Sequence, residues 1–189
     1  LNKGGQTIAT SDMLKIPPTP DQTVGSYLNN YSISMWVYVN PHSPNVDAYN
    51  KESVIMNYGF TDANGVQHVK PMLRYYGGGV NDQPIERNKY VFYFSKYPPT
   101  NQYVTEQDTF YDVTIPNQKW NHIVFNYTNN HADVFINGIL ERSFSMVNAM
   151  PTYNDLDTIT IGEENGLDGG VANVVYYRHP LSEDQIAFL

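Results

Sequence analysis

The chain has 189 residues, no cysteine, and 11 basic against 19 acidic side chains, for a formal net charge of −8. Disulfides and thiolate chemistry are therefore excluded, and binding that tracks nucleic-acid phosphates by charge is disfavoured. Only 16% of residues are charged while 14% are aromatic, with 16 tyrosines, a composition of folded domains with polar, uncharged surfaces rather than of disordered acidic chains.

Near the N-terminus, Pro17-Pro18-Thr19-Pro20 is a stiff extended segment. It is either a linker or part of a fold begun at Thr7–Ala9, a strand expected to pair with the last one. The second reading makes residues 1–189 a single β-sandwich domain. From Tyr31 to Val39 the period is two: Ile33, Met35, Val37 and Val39 share one face, and Ser32, Ser34, Trp36 and Tyr38 the other. Such alternation with β-branched and aromatic residues predicts a strand. Similar runs follow at Glu52–Tyr58, Val69–Tyr76, Lys89–Ser95, Thr109–Ile115, Trp120–Thr128, Ala132–Asn137, Ile139–Met146, Thr158–Gly162 and Val171–Tyr177. Asn64-Gly65 and Asn137-Gly138 suit two-residue hairpin turns, where both positions need positive φ. Pro41, Pro44, Pro98-Pro99 and Pro116 fall between runs, where a missing N–H does no harm.

Only the C-terminus reads as helix. Ser182-Glu-Asp-Gln185 fits a capping box, with Leu181 and Ile186 placed for a hydrophobic staple. Glu183 and Asp184 suit the positive end of the helix dipole. The expected fold is all-β: an antiparallel two-sheet β-sandwich, or jelly roll, with a short C-terminal helix. The longest apolar-looking run, Ile33–Val39, is broken by Ser34 and falls far short of the roughly 20 residues that span a bilayer. The N-terminus shows no basic-then-apolar leader, so no direct membrane insertion is expected.

Three segments, in order, resemble the concanavalin A-like lectin/glucanase superfamily, in its laminin G-type and pentraxin-like branch. The first is Tyr31-Ser-Ile-Ser-Met-Trp-Val37. The second is Trp120-Asn-His-Ile-Val-Phe-Asn-Tyr127 followed by Ala132-Asp-Val-Phe-Ile-Asn-Gly-Ile-Leu140. The third is Ile159-Thr-Ile-Gly162, then Gly170 to Ser182 and the final helix. The resemblance implies two packed sheets and leaves activity open, because this fold carries lectins, adhesion modules, glycosidases and structural domains. It also departs from the family. Ala172 and Asn173 stand in the closing strand where acidic residues are frequent. The loop that holds calcium in pentraxin-like relatives reads Glu163-Glu-Asn-Gly-Leu-Asp168, with Gly166 where an aspartate ligand is expected.

Calcium needs six to eight oxygens. Glu163, Glu164, Asn165 and Asp168 supply some of them, and a solvated acidic turn accounts for the same residues. No other cofactor is expected. Glycoside hydrolysis needs two carboxyls facing one bond. Glu106 with Asp108, and Asp155 with Asp157, are the nearest local pairs, and both read better as surface carboxylates. His42, His68, His122, His131 and His179 have no zinc-type spacing, and the resemblance gives His122 a structural role beside Trp120. Two sequons occur, and Asn126 lies within a predicted strand, which argues against its modification.

Tyrosine rings stack on sugar C–H faces while amides hold hydroxyls. Tyr75, Tyr76, Asn81, Tyr93, Asn101 and Tyr103 are the expected ligand-binding set. The same composition suits a protein interface or a half-buried sheet face. The function expected is a non-catalytic lectin-like or adhesion domain, recognising glycan or another extracellular ligand, in an extracellular, cell-surface or virion-associated setting. The alternatives are a structural domain of a larger assembly, such as a virion or surface layer, held by protein contacts, and, last, a polysaccharide hydrolase.

Overall fold

The period-two runs become antiparallel strands in the structure, a computed structural model that describes residues 1, 4–17, 20, 27–40, 48, 51–63, 67–78, 88–94, 109–147, 151 and 153–189. Among these residues the strands are β1 (Gln6–Thr10), β2 (Tyr31–Val39), β3 (Glu52–Thr61), β4 (Gln67–Tyr76), β5 (Lys89–Phe94), β6 (Thr109–Val113), β7 (Asn121–Tyr127), β8 (His131–Ile136), β9 (Ile139–Ser145), β10 (Thr158–Ile161) and β11 (Gly169–Tyr177). They form two sheets, ordered β1-β10-β3-β4-β5-β6 and β11-β2-β7-β8-β9. The protein is thus a jelly-roll sandwich, as its alternation predicts.

The inner faces meet in one core. Ile33, Met35, Val37 and Val39 of β2 are fully buried beside Ile123, Phe125 and Tyr127 of β7. Tyr58, Leu73, Tyr75, Phe92 and Phe94 belong to the same core cluster. Tyrosine is a core residue here as well as a surface one. The Tyr31 ring stacks on Tyr127 at 4.9 Å and meets Tyr58 edge-on at 5.8 Å. Its hydroxyl donates to the Lys70 carbonyl at 3.2 Å and accepts from the Tyr153 hydroxyl at 2.9 Å. Burial holds the Tyr31, Tyr127 and Tyr153 hydroxyls well above the usual phenol range.

Three local expectations are met. Asn137 and Gly138 have φ of 51° and 81°, joining β8 to β9 by the tight turn. Ser182 caps the C-terminal helix reciprocally with Gln185. Leu181 and Ile186 are buried together against Val124 and Phe135. Two expectations are corrected. The strand at Thr7–Ala9 pairs with β10, not with the last strand β11. A second short helix, α1 (Ser11–Leu14), follows it directly, so the C-terminal helix, α2 (Glu183–Phe188), is not alone. Leu14 is buried in the core, which anchors that turn. The Asn64-Gly65 turn lies outside the described residues.

Helix α2 packs on the outer face of the five-stranded sheet. The Leu181 N–H donates to Ser32 Oγ and to Asn126 Oδ1, both at 3.0 Å, and Asn126 Nδ2 donates to the Leu181 carbonyl at 3.2 Å. Asn126 is therefore buried and occupied, in line with its expected resistance to modification. Among the described residues no helix is long and apolar enough to cross a membrane.

Candidate binding face

Because side chains alternate along a strand, the residues of β3, β4 and β5 that do not enter the core share the outer face of the six-stranded sheet. The register places them in rows. Thr160, Asn57, Met72 and Tyr93 are successive cross-strand partners. Val54, Arg74, Val91 and Asp112 form the next row, and Glu52, Tyr76 and Lys89 the third.

A polar network crosses these rows. The Tyr93 hydroxyl donates to Glu52 Oε2 at 2.5 Å. Arg74 Nη1 donates to the same oxygen at 3.4 Å. The Arg74 guanidinium lies over the Tyr93 ring, 5.4 Å from its centroid, where the ring quadrupole attracts a cation. Its Nε approaches Met72 Sδ at 3.2 Å. The Arg74 side chain is 25% exposed and that of Glu52 34%, so both still reach solvent. Lys89 pairs with Asp112 at 3.4 Å. Beneath them Val54, Val69 and Met72 make a small apolar floor with Tyr93. Asn57 is also buried there, and its Oδ1 has no hydrogen-bond partner among the described residues.

The expected ligand-binding residues separate on this frame. Tyr76 and Tyr93 stand on the outer face. Tyr75 is fully buried and packs edge-on to Tyr90 at 5.0 Å, with Asn117 Nδ2 donating to its hydroxyl at 2.7 Å. It offers no ring face to a ligand. Asn81, Asn101 and Tyr103 lie outside the described residues, as do Glu106 and Asp108. Glu52, Asn57 and Arg74 were not singled out from the sequence. The available signal was parity: Arg74 is two residues from Tyr76 on one strand.

The loop from Glu163 to Asp168 uses its acids locally. Glu163 pairs with Lys51 at 3.0 Å, and Asn40 Nδ2 donates to Asp168 Oδ2 at 3.0 Å. Glu164 and Asn165 are exposed, and Asn165 has a φ of 53°. Gly166 packs so closely that an added Cβ would lie 2.7 Å from the Leu1 carbonyl oxygen. Among the described residues no three His, Cys, Asp or Glu side chains come together as a metal site. Asp155 and Asp157 do not face one bond either. Asp155 is exposed and pairs with Lys15 at 2.5 Å. Asp157, expected at the surface, is fully buried and pairs with Lys70.

A second aromatic surface occupies the outer face of the other sheet. Trp36 stacks on His122 at 5.0 Å, and Tyr38 leans on Trp120 at 5.6 Å. His122 Nε2 is hydrogen-bonded to Ser34 Oγ at 2.7 Å, and burial lowers the imidazole pKa. A cleft of about 180 Å³ separates Trp36, His122 and Asn137 from Ile186, Ala187 and Leu189. Trp120 remains 47% exposed.

Residues 9–187 match a laminin G-type family model described as the concanavalin A-like lectin/glucanases superfamily. No curated protein sequence matches the chain. Among solved structures it is similar to domain 4 of AbnA, a GH43 extracellular arabinanase from Geobacillus stearothermophilus, solved in complex with arabinotriose. That similarity has 17% identity and a TM-score of 0.52, over 85% of this chain and 66% of that one. It is also similar to the receptor binding domain of the botulinum neurotoxin C/D mosaic serotype, with 15% identity and a TM-score of 0.59 over 85% of this chain and 35% of that one. The binding domain of botulinum neurotoxin DC in complex with SialylT gives 13% identity and a TM-score of 0.56, with the same two coverages. The chain therefore spans less than two thirds of the domain with arabinotriose and about a third of the toxin domains.

Proposed function

The chain belongs to the concanavalin A-like lectin/glucanase superfamily, and from that premise we propose that it is a non-catalytic, lectin-like module that binds saccharide on the outer face of its six-stranded sheet. One observation carries this reading: Glu52, Arg74 and Tyr93, from three adjacent strands, converge as an acceptor, a donor and an aromatic ring. A saccharide presents hydroxyl pairs and C–H faces, and a binding site for it needs a few such groups held together. The arabinotriose and SialylT complexes of structurally similar domains support the same direction, as does the extracellular setting of the arabinanase.

The test is an array of immobilised oligosaccharides probed with the wild-type chain, Arg74→Ala and Tyr93→Ala. Binding by wild type that is lost in both variants is the expected result. A blank array, or variants that bind like wild type, would reject the reading.

A second reading, a structural domain held by protein contacts, draws on the apolar residues left exposed near the β8–β9 turn and the end of α2. Ile139 is 70% exposed and Phe188 92%. Light scattering that finds a concentration-dependent oligomer abolished by Phe188→Ser would favour it over saccharide binding.

A further inference from the structure

Granting saccharide binding at this face, we infer that its ligand is a neutral sugar and that acidic saccharides, whether sialylated, uronic or sulfated, are rejected. Among the described residues, the cations of the three rows on this face each have an acidic partner. Arg74 is held by Glu52, and Lys89 by Asp112. Glu52 Oε2 also takes the Tyr93 hydroxyl, so two donors from neighbouring strands hold the carboxylate in place.

An acidic sugar seeking Arg74 would have to bring its own anion beside Glu52. Two like charges in a partly desolvated site repel strongly, and the losing carboxylate would be left without its cation. The net charge of −8 adds a repulsive long-range field. A neutral sugar meets no such conflict. One hydroxyl accepts from Arg74 and its neighbour donates to Glu52, and both bonds are charge-assisted. The guanidinium and carboxylate therefore read a hydroxyl pair without surrendering their mutual attraction. Glu52 is the specificity-determining residue in this account, acting as acceptor and as anion filter at once.

The experiment uses matched probes: lactose with 3′-sialyllactose, cellotriose with a glucuronate-terminated cello-oligosaccharide, and chondroitin oligosaccharides with and without sulfate, plus arabinotriose as a further neutral sugar. Each is titrated against the full chain by calorimetry. At least one neutral member should bind, with its acidic partner at least tenfold weaker. Affinity for the neutral probe should change less than about twofold between low and high salt, because exposed charge interactions are what salt screens. Glu52→Gln, with its fold checked by circular dichroism, should narrow the neutral-to-acidic ratio. Binding confined to acidic probes overturns the inference and leaves saccharide binding standing. An unchanged ratio in Glu52→Gln overturns the role given to Glu52. No binding of any probe, together with a blank array, rejects the functional reading and this inference with it.

Discussion

Lys70 and Asp157 face each other inside the protein, with Lys70 Nζ donating to both carboxylate oxygens. Lys70 lies on β4, and Asp157 immediately precedes β10. Asp157 also accepts the Asn154 N–H at 2.7 Å. The ammonium sits over the rings of Phe60 and Tyr153 at 5.4 and 5.5 Å. Burial lowers the Lys70 pKa, and the bond to Asp157 opposes that shift. The pair resists replacement of one partner much more than of both. Asp157→Ala should cost about 3–5 kcal/mol, because it strands a buried ammonium. The double change Lys70→Met, Asp157→Leu should cost far less than the sum of the single changes. Urea denaturation of the cycle measures this; additive losses would show that the two charges do not depend on each other.

His122 makes stability depend on pH. Its folded pKa lies below the ordinary value of 6.5 because burial disfavours the imidazolium. Below 6.5 the unfolded chain therefore binds more protons than the folded one, so stability falls as pH falls and levels off above 6.5. Melting temperatures between pH 5 and 8 should show this slope in wild type. His122→Gln should flatten it, and an equal slope in the variant would assign the effect to other groups.

Phe125 tests the core. It is fully buried on β7 and packs against Phe92 and Phe94 at 5.6 and 5.8 Å between centroids. Phe125→Ala should lose roughly 3–5 kcal/mol through lost transfer energy and the cavity left behind. A loss below about 1 kcal/mol would mean that the sheets do not meet there.

Calcium should matter little to stability. Glu163 Oε1 is engaged by Lys51 and Asp168 Oδ2 by Asn40, so an ion drawing on both residues would compete with contacts the loop already makes. EDTA should leave the melting temperature nearly unchanged. An ion bound only to the folded state stabilises by mass action, so a rise of more than about 5 °C on adding calcium would show that the loop rearranges to hold it.

Much of the fold could be read directly from the residues. Alternation is a local property: neighbouring side chains on an extended backbone must point to opposite sides. That rule alone put Ile33, Met35, Val37 and Val39 on one face and Trp36 and Tyr38 on the other. It also requires Tyr75 and Tyr76 to point to opposite faces, so the two cannot share one ligand-binding surface. Capping at Ser182 and the Asn137-Gly138 turn were equally local, since each depends on a few adjacent dihedral angles.

The binding face could not be read this way. Glu52, Arg74 and Tyr93 come from three strands, and their meeting depends on which strands pair and in what register. The partners Lys70 and Asp157 lie 87 positions apart, and β1 could choose β10 over β11 only in the folded sheet. Short-range sterics and turn chemistry thus determined that the chain forms strands and which side of each is apolar. Partner choice was decided in three dimensions, where burying the inner faces together outweighs any preference encoded within one segment.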